Sequence, residues 1–209
     1  MPTESPRIDV DQQLVERVQN GDKQAFDMLV LKYQSRVMSL VQRLIRDHHE
    51  AQDIVQEAFI KAYRALPRFR GDSAFYTWLY RIAVNTAKNH LASKGRRPAI
   101  EGVELEEAEI VGIPKLQDNE TPEHQLLRDE LQQVVFGAIN NLPDDLKTAI
   151  TLREFDGLSY EEIAHIMDCP VGTVRSRIFR AREAIDKQIT ALRAGDKISV
   201  SGKDHTQRL

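Results

Sequence analysis

The sequence predicts an all-α protein in which a flexible acidic linker joins two small helical domains. Apolar residues recur every three or four positions through most of residues 10–98 and 123–194, which is the period of a helix with one buried face. No segment shows the alternating pattern of a half-buried strand. Residues 99–122 have no sustained period and hold seven acids against one lysine, so we predict that they form the linker.

The N-terminal domain, residues 10–98, is expected to contain four helices. Asp11 can cap the first helix and Gly21 can end it, and Asp22 can cap the second, because aspartate accepts hydrogen bonds from free N–H groups and glycine tolerates the chain reversal. Pro67 and Gly95 end the third and fourth helices. The four helices are expected at about 11–20, 22–44, 48–66 and 74–94.

The C-terminal domain, residues 123–194, is also expected to be helical. Thr121-Pro122 starts its first helix, because proline suits the first helical position, and Pro143 breaks that helix. Ser159 and Glu162 have the spacing of a capping box. Further helices are expected at about 144–155, 160–167 and 171–192, and the polar tail, residues 195–209, is expected to be irregular.

The composition excludes several classes of protein. The chain has 209 residues, of which 41% are hydrophobic and 29% charged, so it is neither wholly disordered nor collagen-like. No apolar run reaches the roughly 18 residues of a membrane span, and the N-terminus lacks the pattern of a secretory signal. The single cysteine, Cys169, excludes an internal disulfide and a cysteine zinc site. We therefore expect a cytoplasmic protein.

The formal net charge of −3 is an average over three unlike segments. Residues 1–98 carry a net charge of +5, residues 99–122 carry −6, and residues 123–209 carry −2. Within residues 61–97 there are nine basic side chains and one acid, Asp72. The overlapping stretch 59–80 holds seven of the 13 aromatic residues. Cations that neutralise phosphates and rings that stack on bases suit single-stranded nucleic acid, although helical spacing also allows several of these rings to be core residues.

The segment from Tyr160 to Ala184 has the form of a helix-turn-helix: a short helix, a three-residue turn and a longer helix. Residues 171–182 contain four arginines and no acid. Ser176, Phe179 and Arg180 point away from the apolar face, with Arg175 on its flank. Such a second helix lies in the major groove of DNA, where arginine can pair with guanine and an exposed phenylalanine can contact a thymine methyl group.

Several strings of this sequence closely resemble bacterial extracytoplasmic-function sigma factors of the envelope-stress, sigma-E type. The resemblance covers about residues 10–192. It is carried by the following strings: DIVQEAFIKAYRAL (53–66), FRGDSAFYTWLYRIAVNTAKNHL (69–91) and LPDDLKTAITLREFDGLSYEEIAHIMDCPVGTVRSRIFRAREAID (142–186). It implies an alternative sigma factor made of a sigma-2 domain and a sigma-4 domain, which directs core RNA polymerase to envelope-stress promoters and starts promoter melting.

The resemblance also implies a role for individual residues. Those that match base-reading positions for the duplex −35 element are Arg175, Ser176, Phe179 and Arg180. Those placed for its phosphates are Arg153, Tyr160, Thr173 and Arg177. Those that match the part binding the single-stranded −10 element are Phe69, Arg70, Ser73, Tyr76, Ile82, Asn85 and Lys88. Those that match the contact with core polymerase are Asp53, Gln56 and Glu57.

The same resemblance implies partners for the chain. They are core RNA polymerase, promoter DNA and a membrane-anchored anti-sigma factor that would hold the protein at the inner membrane. The acidic linker would pass through the polymerase cleft. We expect no cofactor, no metal and no small-molecule substrate.

Two other functions are compatible with parts of the sequence. Residues 157–186 also look like the DNA-binding domain of LuxR-type regulators, but a receiver domain would need alternating strands and helices where residues 1–98 are helical. An enzyme acting on nucleic acid would need a catalytic motif, and the sequence has no Walker A, HExxH or GxGxxG pattern. His48, His49, Glu50 and Asp53 could form a metal cluster, but adjacent histidines on a helix diverge, which favours ordinary surface residues.

Overall fold

The computed structural model describes residues 9–94 and 134–201, the last ten of them by their backbone alone. This part of the chain is helical and contains no β-strand. The N-terminal domain contains α1 (Val10–Gln19), α2 (Lys23–Leu44), α3 (His48–Ala65), a 3₁₀ turn (Leu66–Arg68) and α4 (Phe75–Lys94). The C-terminal domain contains α5 (134–140), α6 (Asp144–Glu154), α7 (Tyr160–Met167) and α8 (Val171–Ser201). The all-α prediction is therefore confirmed.

Local capping determines where the first three helices begin. Asp22 accepts from the N–H groups of Gln24 and Ala25 at the start of α2, and Asp47 accepts from the N–H of Glu50 at the start of α3. The cap of α1 is Asp9, so our assignment of that role to Asp11 is wrong. Asp11 lies inside the helix bundle, and the residue as a whole is only 8% exposed.

The core of the N-terminal domain is formed by the apolar faces of its four helices. Fully buried residues include Leu29 and Leu40 of α2, Ile54 of α3 and Leu79 of α4. Asp11 accepts hydrogen bonds from Lys32 Nζ at 2.5 Å and from the buried hydroxyl of Tyr33. These bonds join α1 to α2 and compensate the burial of the carboxylate.

The helices of the C-terminal domain have the predicted boundaries, with one difference at the end of α8. Ser159 and Glu162 form the capping box of α7 as expected, with Ser159 Oγ accepting from Glu162 N at 3.2 Å and Glu162 Oε2 accepting from Ser159 N at 2.7 Å. α8 continues to Ser201 rather than ending near Leu192, so residues 195–201 are helical and not irregular. This polar segment has no apolar face that could pack against the core, but its residues still have the propensity to form a helix.

The two domains pack against each other. α4 contacts α7, and α2 contacts α6. One apolar cluster runs through both domains, from Leu14 to Ala181. At the junction of α2, α4 and α6 the packing leaves a cavity of only about 10 Å³.

Some predictions lie outside the described residues. These are the stop at Gly95, the linker at 99–122, the helix start at Thr121-Pro122 and residues 202–209. Among the described residues, no helix combines the length and apolar character that crossing a membrane requires.

Candidate nucleic-acid interface

The turn between α7 and α8 fixes the direction of the second helix. Asp168 ends α7 in the left-handed conformation, with φ 53°, which aspartate tolerates better than most residues. The carbonyl of Pro170 then accepts from the N–H groups of Thr173 and Val174 to open α8. Val174, Ile178 and Ala181 are buried on the inner side of α8, so the periodicity prediction for this helix is confirmed.

The outer side of α8 carries the predicted base-reading residues. Arg175, Ser176, Phe179 and Arg180 are all exposed. Phe179 is 69% exposed, so it does not pack against another described helix. A large apolar ring held in solvent between arginines is unfavourable in the isolated chain. It suits a surface that contacts both thymine methyl groups and guanine edges in a major groove.

Two of the predicted phosphate-contacting residues form a stack beside α8. The guanidinium of Arg153 lies 4.8 Å from the centroid of the Tyr160 ring, and the guanidinium of Arg175 lies 5.7 Å from the same centroid. Arg153 Nη1 also donates to the carbonyl oxygen of Leu158 at 2.6 Å. The ring therefore orders two cations at the edge of the helix-turn-helix. Thr173 is half-buried at the start of α8.

Arg177, the fourth residue predicted to contact phosphates, turns towards the protein. Its Nη2 lies 2.5 Å from Asp145 Oδ2, and its Nη1 lies 3.3 Å from Cys169 Sγ. The side chain is 21% exposed. Arg177 is therefore already paired with a carboxylate of its own domain.

The loop between the 3₁₀ turn and α4 holds the first of the predicted −10 residues. The ring of Phe69 lies 4.9 Å from that of Trp78 and 6.3 Å from that of Phe75. Gln19 Nε2 donates to the carbonyl oxygens of Leu66 at 3.1 Å and Phe69 at 2.9 Å. Gln19 therefore ties the loop to α1, a role that sequence reasoning missed because the partners are about fifty residues apart.

Gly71 allows the chain to turn within this loop. Gly71 has φ 75°, a conformation that favours glycine. Arg70 is exposed, and Ser73 is half-buried.

The α4 residues predicted to bind the −10 element differ in exposure. Asn85 is exposed, whereas Ile82, Tyr76 and Lys88 are half-buried. Tyr76 donates a hydrogen bond to Glu162 of α7, and Lys88 Nζ lies 2.8 Å from Asp145 Oδ1 of α6. The C-terminal domain therefore covers part of the surface that sequence analysis assigned to single-stranded DNA.

Three of the seven aromatic residues in 59–80 are buried in the core. Phe59, Phe75 and Tyr80 are buried, and Tyr63 is 40% exposed while its ring packs at a tilt against Phe26, with ring centroids 4.9 Å apart. Burial raises the pKa of Tyr80 to about 12. The positions of these rings are therefore better explained by packing in the core than by stacking on bases. The rings that remain candidates for base stacking are the half-buried ones of Phe69, Tyr76 and Trp78.

The residues predicted to contact core polymerase lie together on the outer face of α3. Asp53, Gln56 and Glu57 are exposed, and Glu57 pairs with Lys61 at 2.7 Å one turn later. Ile60 on this helix is 44% exposed. A single exposed apolar side chain of this kind is ordinary on a protein surface.

His48, at the start of α3, contacts polar neighbours through both ring nitrogens. His48 contacts Gln42 at 2.8 Å and Gln52 at 3.0 Å through its ring nitrogens, and Glu50 pairs with Lys94 at 2.7 Å. No group of three or more potential metal ligands occurs within 9–94 or the described part of the C-terminal domain.

Comparisons with known proteins agree with the two-domain arrangement. Residues 29–97 match the family profile of sigma-70 region 2, and residues 133–185 match that of sigma-70 region 4. The chain is 66% identical over 183 residues to the RNA polymerase sigma-H factor of Pseudomonas aeruginosa, with 87% of this chain and 95% of that protein covered. It is 62% identical over 185 residues to the ECF RNA polymerase sigma-E factor of Escherichia coli K12, with 87% and 95% covered.

Solved structures share the fold. CnrH in complex with the cytosolic domain of CnrY matches with a TM-score of 0.63 and 24% identity, covering 88% of this chain and 99% of that one. The sigma factor RpoE from Bartonella quintana, in complex with the anti-sigma factor NepR, matches with a TM-score of 0.59 and 26% identity, covering 79% and 96%.

Proposed function

Because this chain belongs to the extracytoplasmic-function sigma factors of RNA polymerase, of the sigma-E type, we propose how its residues divide the work of an alternative sigma factor. The sigma-2 domain, residues 10–98, binds core polymerase and the melted −10 element. The sigma-4 domain, residues 123–194, reads the duplex −35 element, and residues 99–122 link the two. The LuxR-type alternative is not favoured, since the N-terminal half matches sigma-70 region 2.

One observation carries this proposal: the exposed face of α8. This face exposes the side chains of Ser176, Phe179 and Arg180, whereas the opposite face of the same helix is buried. Phosphate contacts by Arg153, Tyr160, Thr173 and Arg177 would position the domain on the duplex, and Arg175 with this face would specify sequence.

The sigma-2 domain supplies a different kind of surface. A loop beside Phe69 and Trp78 gives a base an apolar wall, and the amide of Asn85 offers both a donor and an acceptor to a base edge. Extruding a base from a duplex costs a few kcal/mol, which the loop and α4 together must offset. The other members of this surface are Arg70, Ser73, Tyr76, Ile82 and Lys88.

The partners follow from the family. Core RNA polymerase would contact Asp53, Gln56 and Glu57 on α3. The solved complex of RpoE with the anti-sigma factor NepR supports an anti-sigma partner for this chain, and a membrane-anchored one would hold an otherwise cytoplasmic protein at the inner membrane. The chain itself is expected to carry no catalytic centre and to act by binding.

The assignment of the −35 residues is tested by Arg175→Ala in complex with core polymerase. Loss of a guanidinium that reads one base should cost roughly 1–3 kcal/mol at one promoter position and relax the choice of base there. Lys187→Ala is the matched control, because it removes one charge from the same helix at an exposed ion pair with Glu183. If Arg175→Ala instead lowered the affinity for all −35 sequences equally, Arg175 would contact phosphates and not a base.

The assignment of the −10 residues is tested by Asn85→Ala. This variant should retain −35 binding and lose promoter opening, measured by permanganate reactivity of unpaired thymines. Asn89→Ala is the matched control, because Asn89 is an exposed asparagine one turn later on α4. Equal opening by both variants would remove Asn85 from the site.

A further inference from the structure

The loop assigned to the −10 element, residues 69–74, lies beside α1, the first helix of the chain. Its six residues belong to neither a helix nor a strand, so the loop lacks the repeated backbone hydrogen bonds that fix a regular element. α1 contacts both the 3₁₀ turn that precedes the loop and the helix α4 that follows it. The conformation of the loop therefore depends on the groups that α1 directs towards it.

Gln19, the last residue of α1, holds the start of this loop. Its Nε2 donates to the carbonyl oxygen of Leu66 at 3.1 Å and to that of Phe69 at 2.9 Å. The carbonyl of Leu66 also accepts from the N–H of Phe69 at 3.0 Å. Because the peptide group is planar, a carbonyl held at Phe69 also fixes the direction in which the chain enters Arg70.

A second glutamine of α1 lies beside the middle of the loop. Gln12 and Gln19 are seven positions apart, which places both on one side of the helix after two turns. A Cβ added to Gly71 would lie 3.8 Å from Gln12 Oε1, an ordinary van der Waals distance. Gly71 has φ 75°, so the chain turns where it passes α1.

The helix α1 is itself fixed by a buried carboxylate, so it can support the loop. Asp11 accepts from Lys32 and from the hydroxyl of Tyr33 on α2. The ring of Tyr33 packs against that of Phe75, with centroids 5.7 Å apart, and Phe75 directly follows the loop as the first residue of α4. One end of the loop is thus attached to α1 through Gln19, and the other is attached through α2.

The bonds of Gln19 affect the loop more than they affect the stability of the domain. Gln19 is exposed, whereas the apolar contacts of α1 are made by the buried residues Leu14, Val15 and Val18. Substitutions of exposed residues usually change the free energy of unfolding little. Two hydrogen bonds from an exposed side chain to the carbonyls around a loop mainly restrict the conformations of that loop.

We propose that Gln19 is a positioning residue for recognition of the −10 element, because its amide holds residues 69–74 in the conformation that binds the single strand. The proposal rests on the function assigned above to Phe69, Arg70 and Ser73. A loop that is ordered before binding loses less conformational entropy when the strand binds. Without the amide of Gln19, the DNA itself must order the loop, and the affinity for the strand falls.

The test compares two variants of Gln19 with a matched control, each in holoenzyme reconstituted with core polymerase. Gln19→Met has a side chain of similar length that cannot donate a hydrogen bond, whereas Gln19→Lys keeps a donor at the end of a long side chain. Gln13→Met is the control, because Gln13 is an exposed glutamine of α1 that is turned by about 120° from Gln19 around the helix axis.

Fluorescence anisotropy measures the affinity of each holoenzyme for a single strand carrying the −10 element. Gln19→Met should bind this strand roughly threefold to tenfold more weakly than the wild type, which corresponds to the net contribution of one hydrogen bond. Gln13→Met should stay within about twofold of the wild type, as an exposed substitution outside the site would.

Strands in which one base at a time is replaced by an abasic site separate positioning from a general loss of structure. In the wild type, binding should weaken most at the base that the loop holds. Gln19→Met should show a smaller penalty at that position, and Gln19→Lys should restore the penalty. Because the added charge of lysine acts equally on every strand, the ratio of intact to abasic affinity is compared. A destabilised variant would instead lose affinity for all strands by the same factor.

The outcomes distinguish this proposal from the function assigned to the loop. If Gln19→Met kept the wild-type abasic penalty, or lost affinity equally for every strand, Gln19 would not position the loop. If the wild-type holoenzyme did not prefer the −10 strand to a scrambled one, the assigned function itself would be wrong. A wild type with that preference, together with Gln19→Met equal to Gln13→Met, would contradict only the role of Gln19.

Discussion

Asp11 and Lys147 are the two charged residues that are classed as buried among the described residues, at 8% and 5% exposure. Asp11 accepts from Tyr33 and Lys32 and joins α1 to α2, whereas Lys147 donates to the end of α2 from the other domain. Neither role could be predicted from sequence, because the partners are 21 or more positions away. The local sequence predicts a helix cap at Asp11, because the pattern around this residue fits a cap as well as it fits a buried hydrogen-bond acceptor.

Removing the hydroxyl of Tyr33 tests the first of these roles. Tyr33→Phe should lower the free energy of unfolding by about 1–3 kcal/mol, since it leaves a buried carboxylate with one hydrogen bond fewer. Tyr63→Phe is the control, because Tyr63 is 40% exposed, and should cost within about 0.5 kcal/mol. Denaturant titration measures both, and equal values for the two variants would contradict the account.

The pH dependence of stability tests the second role. Because burial lowers the pKa of Lys147 to about 8 from 10.5, the unfolded chain binds more protons than the folded chain between these values. The free energy of unfolding should therefore rise as the pH rises from 8 towards 10. Lys147→Met should lack this rise in thermal or denaturant unfolding. If Lys147→Met kept the same rise in the free energy of unfolding with pH, that rise would have to come from another titrating group.

At the scale of elements, the helix boundaries follow from short-range patterns. Asp22, Ser159 and Pro143 are close to the groups they act on, so the starts of α2, α6 and α7 were predictable to within a residue or two. The continuation of α8 to Ser201 was not, since the apolar stripe ends before the helix does. The exposed face of α8 was predictable from its period, but the inward turn of Arg177 depends on Asp145 in another helix.

The capping box makes α7 the element most open to a local test. Ser159→Ala should lower the free energy of unfolding by about 0.5–2 kcal/mol, because Glu162 N loses its acceptor at the start of an eight-residue helix. Ser93→Ala removes an exposed hydroxyl near the end of α4 and should cost less. If the two serines proved equivalent in thermal unfolding, α7 would not depend on its cap.

At the scale of the whole molecule, the distribution of charge among the segments is more informative than the net charge. A net charge of −3 would argue against a DNA-binding protein, yet the described surfaces of α4 and α8 carry the cations. The family and the two-domain plan were predictable from residues 53–66, 69–91 and 142–186, because those strings are specific. The contact between the domains was not, since it joins side chains such as Lys88 and Asp145 that are 57 positions apart.

Both domains are proposed to act together in selecting a promoter for core polymerase. Run-off transcription with purified core enzyme, on a template with envelope-stress −35 and −10 elements, tests it most directly. We expect a transcript that requires this chain and is lost when either element is scrambled. A chain that gives no transcript above core enzyme alone, or one that persists when both elements are scrambled, would contradict it.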